Sequence, residues 1–208
     1  MSSETEGRPR RILDMSCGSR MFWFDPQNPK VIFGDNRMER HSLKDSSSKH
    51  GHRLLVVDPD VQLDFTNLPF AGDSFDMVVF DPPHLVRNGR SGWLAKKYGK
   101  LSQNWREDLR LGFAEGFRVL RLGGTLIFKW NERDVPVSQV LALTPESPLL
   151  GNRCGRSAQS HWIIFVKQAE RCADCDEAAR FAYSDATTPG FFSPKCSKHR
   201  EGRTSHSD

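Results

Sequence analysis

The chain has 208 residues with 30 Lys and Arg against 26 Asp and Glu, a net charge of +4. That length suits one α/β domain plus a small appendage, and the mild basicity permits a nucleic-acid partner without demanding one. No apolar run reaches the ~18 residues of a membrane span, and the polar lead Met1 to Arg11 lacks the apolar core of a secretory signal, so the reading is a cytoplasmic protein with no membrane partner.

In chain order, residues 1–9 read as a disordered lead. Arg11-Ile12-Leu13-Asp14-Met15 is a short apolar strand ending at an acid, and Ser16-Cys17-Gly18-Ser19 is a small-residue turn. Met21-Phe22-Trp23-Phe24 has room for one or two helical turns before Pro26. Val31-Ile32-Phe33 is a second strand closed by Gly34-Asp35. Residues 36–52 read as a polar loop, and Leu54-Leu55-Val56-Val57 as a third strand. Asp64-Phe65 leads through irregular chain into the strand Met77-Val78-Val79-Phe80. A helix is predicted over Trp105 to Leu120, where Leu109, Phe113, Phe117 and Leu120 recur at helical spacing. Leu122-Gly123-Gly124 turns the chain into the strand Thr125 to Phe128. A helix near 136–143 and the strand His161 to Val166 close a domain spanning 10–168. Strands alternating with helical segments imply a Rossmann-like, doubly wound, mostly parallel sheet.

The run Asp81-Pro82-Pro83-His84 follows a buried strand directly. Proline cannot extend a ladder, so the chain leaves the sheet there and presents a carboxylate at the strand's C-terminal edge, where open α/β sheets bind ligands. The Asp81 carboxylate and the Pro82 carbonyl form a stiff pair of acceptors suited to a planar amine. The alternative is a proline-rich turn with a capping aspartate. Asp14, Ser16, Cys17, Gly18 and Ser19 are candidates for a cofactor turn, although the usual three-glycine pattern is absent. Asp35 is placed to accept ribose hydroxyls, or else caps a turn. Asp64 and Phe65 are candidates to bond and stack an adenine.

Taken together, this order of strands, acids and turns resembles the class I S-adenosylmethionine-dependent methyltransferases. Asp81 to His84 is similar to the Asp/Asn-Pro-Pro-aromatic signature of amino-methyltransferases acting on DNA or RNA bases. The runs Asp81 to Leu85 and Phe128 to Trp130 also resemble those of small phage- and mobile-element-associated methyltransferases. The resemblance covers about 10–167 and departs at His84 and at the missing glycines. It implies S-adenosylmethionine as cofactor and methylation of an exocyclic amino group, N6 of adenine ahead of N4 of cytosine. His84 either stacks on the base or is structural. Arg87, Trp93, Lys96, Lys97, Tyr98 and Trp130 are the candidate substrate contacts, because basic residues neutralise phosphates and aromatics stack on unpaired bases. The same residues also suit a solvated helix face with inward aromatics, and Trp130 also suits a core. Other readings are a methyltransferase on a protein amide or a small molecule, and a non-catalytic nucleic-acid-binding protein.

Residues 169–208 form a separate segment. Cys172-x-x-Cys175 and Cys196-x-x-His199 supply three thiolates and an imidazole, a closed tetrahedral set for structural zinc. The few aromatics between them are too few for a core without metal.

Overall fold

A computed structural model describes residues 11–44, 49, 51–86, 93–154, 159–171 and 178–179. The chain divides into two units, 1–166 and 167–208.

The first unit is built on seven strands. These are β1 (Ile12–Asp14), β2 (Val31–Asp35), β5 (Val61–Gln62), β6 (Phe75–Phe80), β7 (Leu120–Asn131), β8 (Leu150–Cys154) and β9 (Ser160–Val166). Their order across the sheet is β5-β2-β1-β6-β7-β9-β8. The five strands from β5 to β7 run parallel, while β9 is antiparallel to β7 and to β8. This is the Rossmann-like, mostly parallel sheet expected from the sequence.

Among the described residues three helices accompany it: α1 (Trp93–Tyr98), α2 (Trp105–Val119) and α3 (Val137–Leu141). The α2 segment carries Glu107 and Asp108 in its first turn and Arg118 in its last, both favourable to the helix dipole. Its apolar stripe of Leu109, Phe113 and Phe117 packs on the sheet face that carries Phe80, Phe128 and Phe165. Phe113 meets Phe128 with ring centroids 4.8 Å apart, and Phe117 meets Phe165 at 5.7 Å. Gly112 allows this close approach, since a Cβ there would lie 2.6 Å from Phe80 and 2.9 Å from Phe65. A smaller cluster of Cys17, Val31 and Phe33, with Trp23 and Ile12 against it, forms separately.

Several expectations are corrected. Residues 36–52 are not simply a loop: β3 (Glu39–Lys44) pairs antiparallel with β4 (His52–Val57) in a two-stranded hairpin. Leu54 to Val57 therefore belongs to this hairpin, and the third parallel strand is the two-residue β5. Alternation explains the difference, because Leu55 and Val57 are buried whereas Leu54 is exposed. Met21 to Phe24 forms turns rather than helix. The predicted turn at Leu122 to Gly124 is a bulge inside β7, where the register with β6 jumps from Phe75↔Leu120 to Met77↔Thr125.

In the second unit, β10 (Glu170–Arg171) pairs antiparallel with β11 (Ala178–Ala179). The zinc candidates Cys172, Cys175, Cys196 and His199 lie outside the described residues. Among the described residues no cluster of three metal-ligating side chains occurs, and no helix is long and apolar enough to cross a membrane.

Candidate active site

From β1 the chain proceeds outward to β2 and β5 on one side and, later, to β6 and β7 on the other. The loops after β1 and β6 thus diverge from adjacent strands, which leaves a crevice at the carboxyl ends. The cleft found there has a volume of about 1060 Å³ and is lined by Ser16 to Ser19, Asp35, Asp64, Phe65 and Asp81 to His84. The sequence-predicted acceptor corner and most of the predicted cofactor residues therefore share one cavity.

The turn after β1 is fixed by its neighbours. The amide of Met15 donates to Val79 O at 3.0 Å and that of Cys17 to Gly34 O at 2.8 Å. Gly18 has φ +52°, and its N–H donates to Asp35 Oδ2 at 2.8 Å. Ser16 Oγ accepts the amide of Asp81 at 2.9 Å, so the first loop directly holds the fourth strand's exit. Ser19 Oγ is buried and has no partner among the described residues. Burial pushes the Cys17 thiol far up, helped by the charges of Asp14 and Asp35, so it is a small filler rather than a nucleophile.

Asp14 does not line the cleft. It is fully buried beneath the turn, where its carboxylate accepts the Trp23 indole N–H at 2.8 Å and the Ser16 amide at 3.3 Å. Burial raises its pKa to about 7 against the lowering effect of these donors. Its expected role as a cofactor ligand is thereby corrected to support of the turn.

Asp35 is also more occupied than expected. Oδ2 takes the Gly18 amide, and Oδ1 takes the Arg37 amide at 3.0 Å and the Arg37 Nε at 3.1 Å. The same guanidinium reaches the Lys96 carbonyl of α1 at 3.3 Å. A diol would engage this carboxylate only by displacing Arg37. Asp64 uses Oδ1 to accept both the amide and the hydroxyl of Thr66 at 2.8 Å, which leaves Oδ2 outside that turn. Phe65 packs against Phe80 with centroids 5.3 Å apart.

At the acceptor corner, Asp81 Oδ2 accepts Lys129 Nζ at 2.6 Å. Burial raises the Asp81 pKa, and the neighbouring ammonium opposes that rise. The Asp81 side chain remains 21% exposed. His84 lies between Tyr98, at 5.5 Å, and Trp130, at 6.5 Å between ring centroids. Burial, together with Lys129 and Arg133, lowers the His84 pKa to about 4, so the ring is neutral at pH 7.

Lys96, Lys97 and Tyr98 line the cleft as expected. Trp93 begins α1, and Arg87 lies outside the described residues. Trp130 is a correction: it is fully buried and donates its indole N–H to Val135 O at 2.9 Å, so it belongs to the core. Sequence reasoning places Lys129, in the run Lys129 to Glu132, at a candidate pocket wall, and the cleft lining includes it, but its pairing with Asp81 is not foreseen. Strand alternation gives the signal, because Phe128 and Trp130 face the core and Lys129 must face the other way. The Phe80↔Phe128 register then brings it beside Asp81.

No protein-family model matches the chain. It is 28% identical over 129 residues to a malonyl-(acyl-carrier protein) O-methyltransferase of Hahella chejuensis, which covers 61% of this chain and 38% of that protein. The chain thus spans well under half the length of this curated relative. The PH0226 protein of Pyrococcus horikoshii OT3 superposes with a TM-score of 0.47 at 13% identity, over 77% of this chain and 83% of that one. A methyltransferase from Methanosarcina mazei superposes with a TM-score of 0.46 at 13% identity, over 78% and 95%. The strand order and switch-point cleft are those of a Rossmann-like α/β protein.

Proposed function

We propose that this protein is an S-adenosylmethionine-dependent methyltransferase acting on the exocyclic amino group of a nucleic-acid base, N6 of adenine ahead of N4 of cytosine. One observation carries the reading: a proline-stiffened carboxylate, Asp81, lines the switch-point cleft and is tied through its own amide to the Ser16 side of the cofactor turn. The residues present fit the cofactor. The buried, unpartnered Ser19 hydroxyl lies in the cleft wall and calls for a polar ligand group, and Phe65 offers a ring face beside Asp64.

When bound, the cofactor supplies a methyl group on a positively charged sulfur. The chain's residues prepare the acceptor. An exocyclic amino nitrogen is a poor nucleophile because its lone pair is delocalised into the ring. Asp81 and the Pro82 carbonyl each accept one of its hydrogens, which localises the lone pair and orients it within the cleft. The neutral His84 ring offers a stacking surface for an unpaired base. The proton released after transfer passes to water, so Asp81 need not act as a full general base.

Exposed cations near the cleft support a polyanionic substrate. Lys96 and Lys97 line the cleft, and the hairpin beside it carries exposed Arg40, Lys44 and Arg53. A second reading follows from the O-methyltransferase relative. A carboxylate acceptor brings no N–H for Asp81 and meets a like charge there, so the amino acceptor is the better match to this site.

We further propose that the C-terminal unit binds one structural zinc through Cys172, Cys175, Cys196 and His199. The paired Cys-x-x-Cys and Cys-x-x-His spacing supports this, as does the antiparallel pairing of β10 and β11 on either side of the first knuckle.

The deciding experiment is transfer from labelled S-adenosylmethionine to DNA and RNA pools, followed by nucleoside mass spectrometry. N6-methyladenine is the expected product, and Asp81→Ala is expected to abolish it with cofactor affinity kept within about threefold. Label found only on a carboxylate or a protein amide overturns the substrate assignment. A chain that does not bind the cofactor overturns the enzyme assignment.

A further inference from the structure

Lys129 is not part of the Asp-Pro-Pro corner, yet its ammonium lies 2.6 Å from Asp81 Oδ2. Two rings also flank the ammonium, with the centroids of Phe22 at 5.7 Å and Trp162 at 5.6 Å. Phe22 comes from the turn after β1 and Trp162 from β9, so three separate parts of the fold meet around one cation. Flanking rings of this kind favour a cation and restrain a long, flexible side chain. An arrangement so specific is unnecessary for a surface ion pair, which contributes little to stability.

We propose that Lys129 is a positioning residue for the methyl acceptor: by holding Oδ2 of Asp81 it fixes the carboxylate's rotation and makes Oδ1 the favoured carboxylate acceptor for the amino group. The acceptor's two hydrogens are then divided between different atoms, one to Asp81 Oδ1 and one to the Pro82 carbonyl. Chelation of both by the carboxylate alone is disfavoured, because Lys129 competes for Oδ2, and the nitrogen's orientation is fixed. Lys129 also keeps Asp81 ionised in a site whose burial favours the acid, and a protonated carboxyl would present a donor where an acceptor is needed. Of the other charged and titratable groups, Asp14 under the turn of β1 feels the charge of Asp81, and Asp35, Arg37, His84 and Arg133 line the same cleft. Arg37 is committed to Asp35, and Lys129 is the cation in direct contact with Asp81.

The inference rests on the proposed amino-methyltransferase reading, and its test has two arms. In the first, Asp81 is followed by carbon NMR of aspartate labelled at Cγ, with its signal assigned by loss in Asp81→Asn. Lys129→Met is expected to raise the Asp81 titration midpoint by about 1–3 pH units, and Lys129→Arg to restore most of it. In the second, the pH profile of methyl transfer to single-stranded adenine-containing oligonucleotides is recorded for the same variants. The acid limb is expected to rise with the Asp81 midpoint in Lys129→Met, with kcat falling more than KM changes, and Lys129→Arg to recover it. An Asp81 midpoint that is the same in the wild type and in Lys129→Met overturns the inference. So does a methyl-transfer profile that Lys129→Met leaves unshifted. A wild type that binds cofactor and shows the Lys129-dependent midpoint but methylates no nucleic acid instead overturns the substrate reading and leaves the pairing intact.

Discussion

Ser16 and Asp81 are 65 residues apart in the chain and joined by one hydrogen bond, the Asp81 amide donating to Ser16 Oγ at 2.9 Å. The bond links the turn assigned to the methyl donor with the loop assigned to the acceptor. Because it uses the backbone of Asp81, the carboxylate stays available to Lys129 and the cleft. Ser16→Ala leaves that amide unpaired in a half-buried site. The expected cost is about 1–3 kcal/mol by urea denaturation. Methyl transfer is expected to fall while cofactor affinity, read by calorimetry, changes less. Retained turnover in Ser16→Ala would remove the link from the mechanism.

Asp14 gives a pH dependence with a defined sign. Its folded pKa, about 7, lies above the ordinary 3.8, so the folded chain holds the proton more tightly than the unfolded chain. The stabilisation is complete below the ordinary value and is lost as pH rises through about 7. Between about pH 4 and pH 7, wild type is expected to lose stability relative to Asp14→Asn, with little further change above that. Parallel pH curves for the two proteins would show that Asp14 does not titrate in this range.

The neutral His84 ring makes a separate prediction. With a pKa of about 4, its protonation leaves no inflection in activity near neutrality. His84→Phe preserves a flat stacking face and is expected to keep most activity, whereas His84→Ala is expected to raise KM for a single-stranded substrate. The base–aromatic stacking at stake amounts to about 1–3 kcal/mol. Equal loss in both variants would indicate a role for the ring nitrogens instead.

Gly112 connects helix packing to the cleft. A methyl group there meets Phe80 and Phe65 at 2.6 and 2.9 Å. Overpacking of this kind costs about 1–3 kcal/mol, partly offset by the roughly 1 kcal/mol gain in helix propensity of alanine over glycine. Gly112→Ala is expected to weaken cofactor binding more than it lowers the unfolding midpoint, because the displaced Phe65 lines the cleft.

Purified protein is expected to carry about one zinc per chain by elemental analysis, and Cys172→Ser to release it. A metal-free preparation whose C-terminal unit is still folded would refute the site.

The Asp-Pro-Pro corner was legible because proline forbids continuation of a strand, so the sequence alone marks where the carboxylate must leave the sheet. The α2 stripe was legible for a similar reason, since Leu109, Phe113 and Phe117 repeat at the helical period. Leu54 to Val57 misled because a short apolar run looks the same in a hairpin as in a parallel sheet, and β5 is too short to carry any pattern. The pairing of Lys129 with Asp81 depended on strand register, which a linear sequence does not contain. The clamp of Arg37 on Asp35 was hidden as well, because an acid at a strand end reads as free until its partners are known.

The connections after β1 and β2 are made of turns and the β3–β4 hairpin, whereas the connection after β6 includes α2 with its aromatic layer. Backbone amides in the turn region 19–29 and in the hairpin should exchange with deuterated solvent through small local openings, while those of α2 and β7 should exchange only with global unfolding. Deuterium exchange would therefore read the two kinds of connection separately, the helical one through global opening and the turn-built ones through local opening.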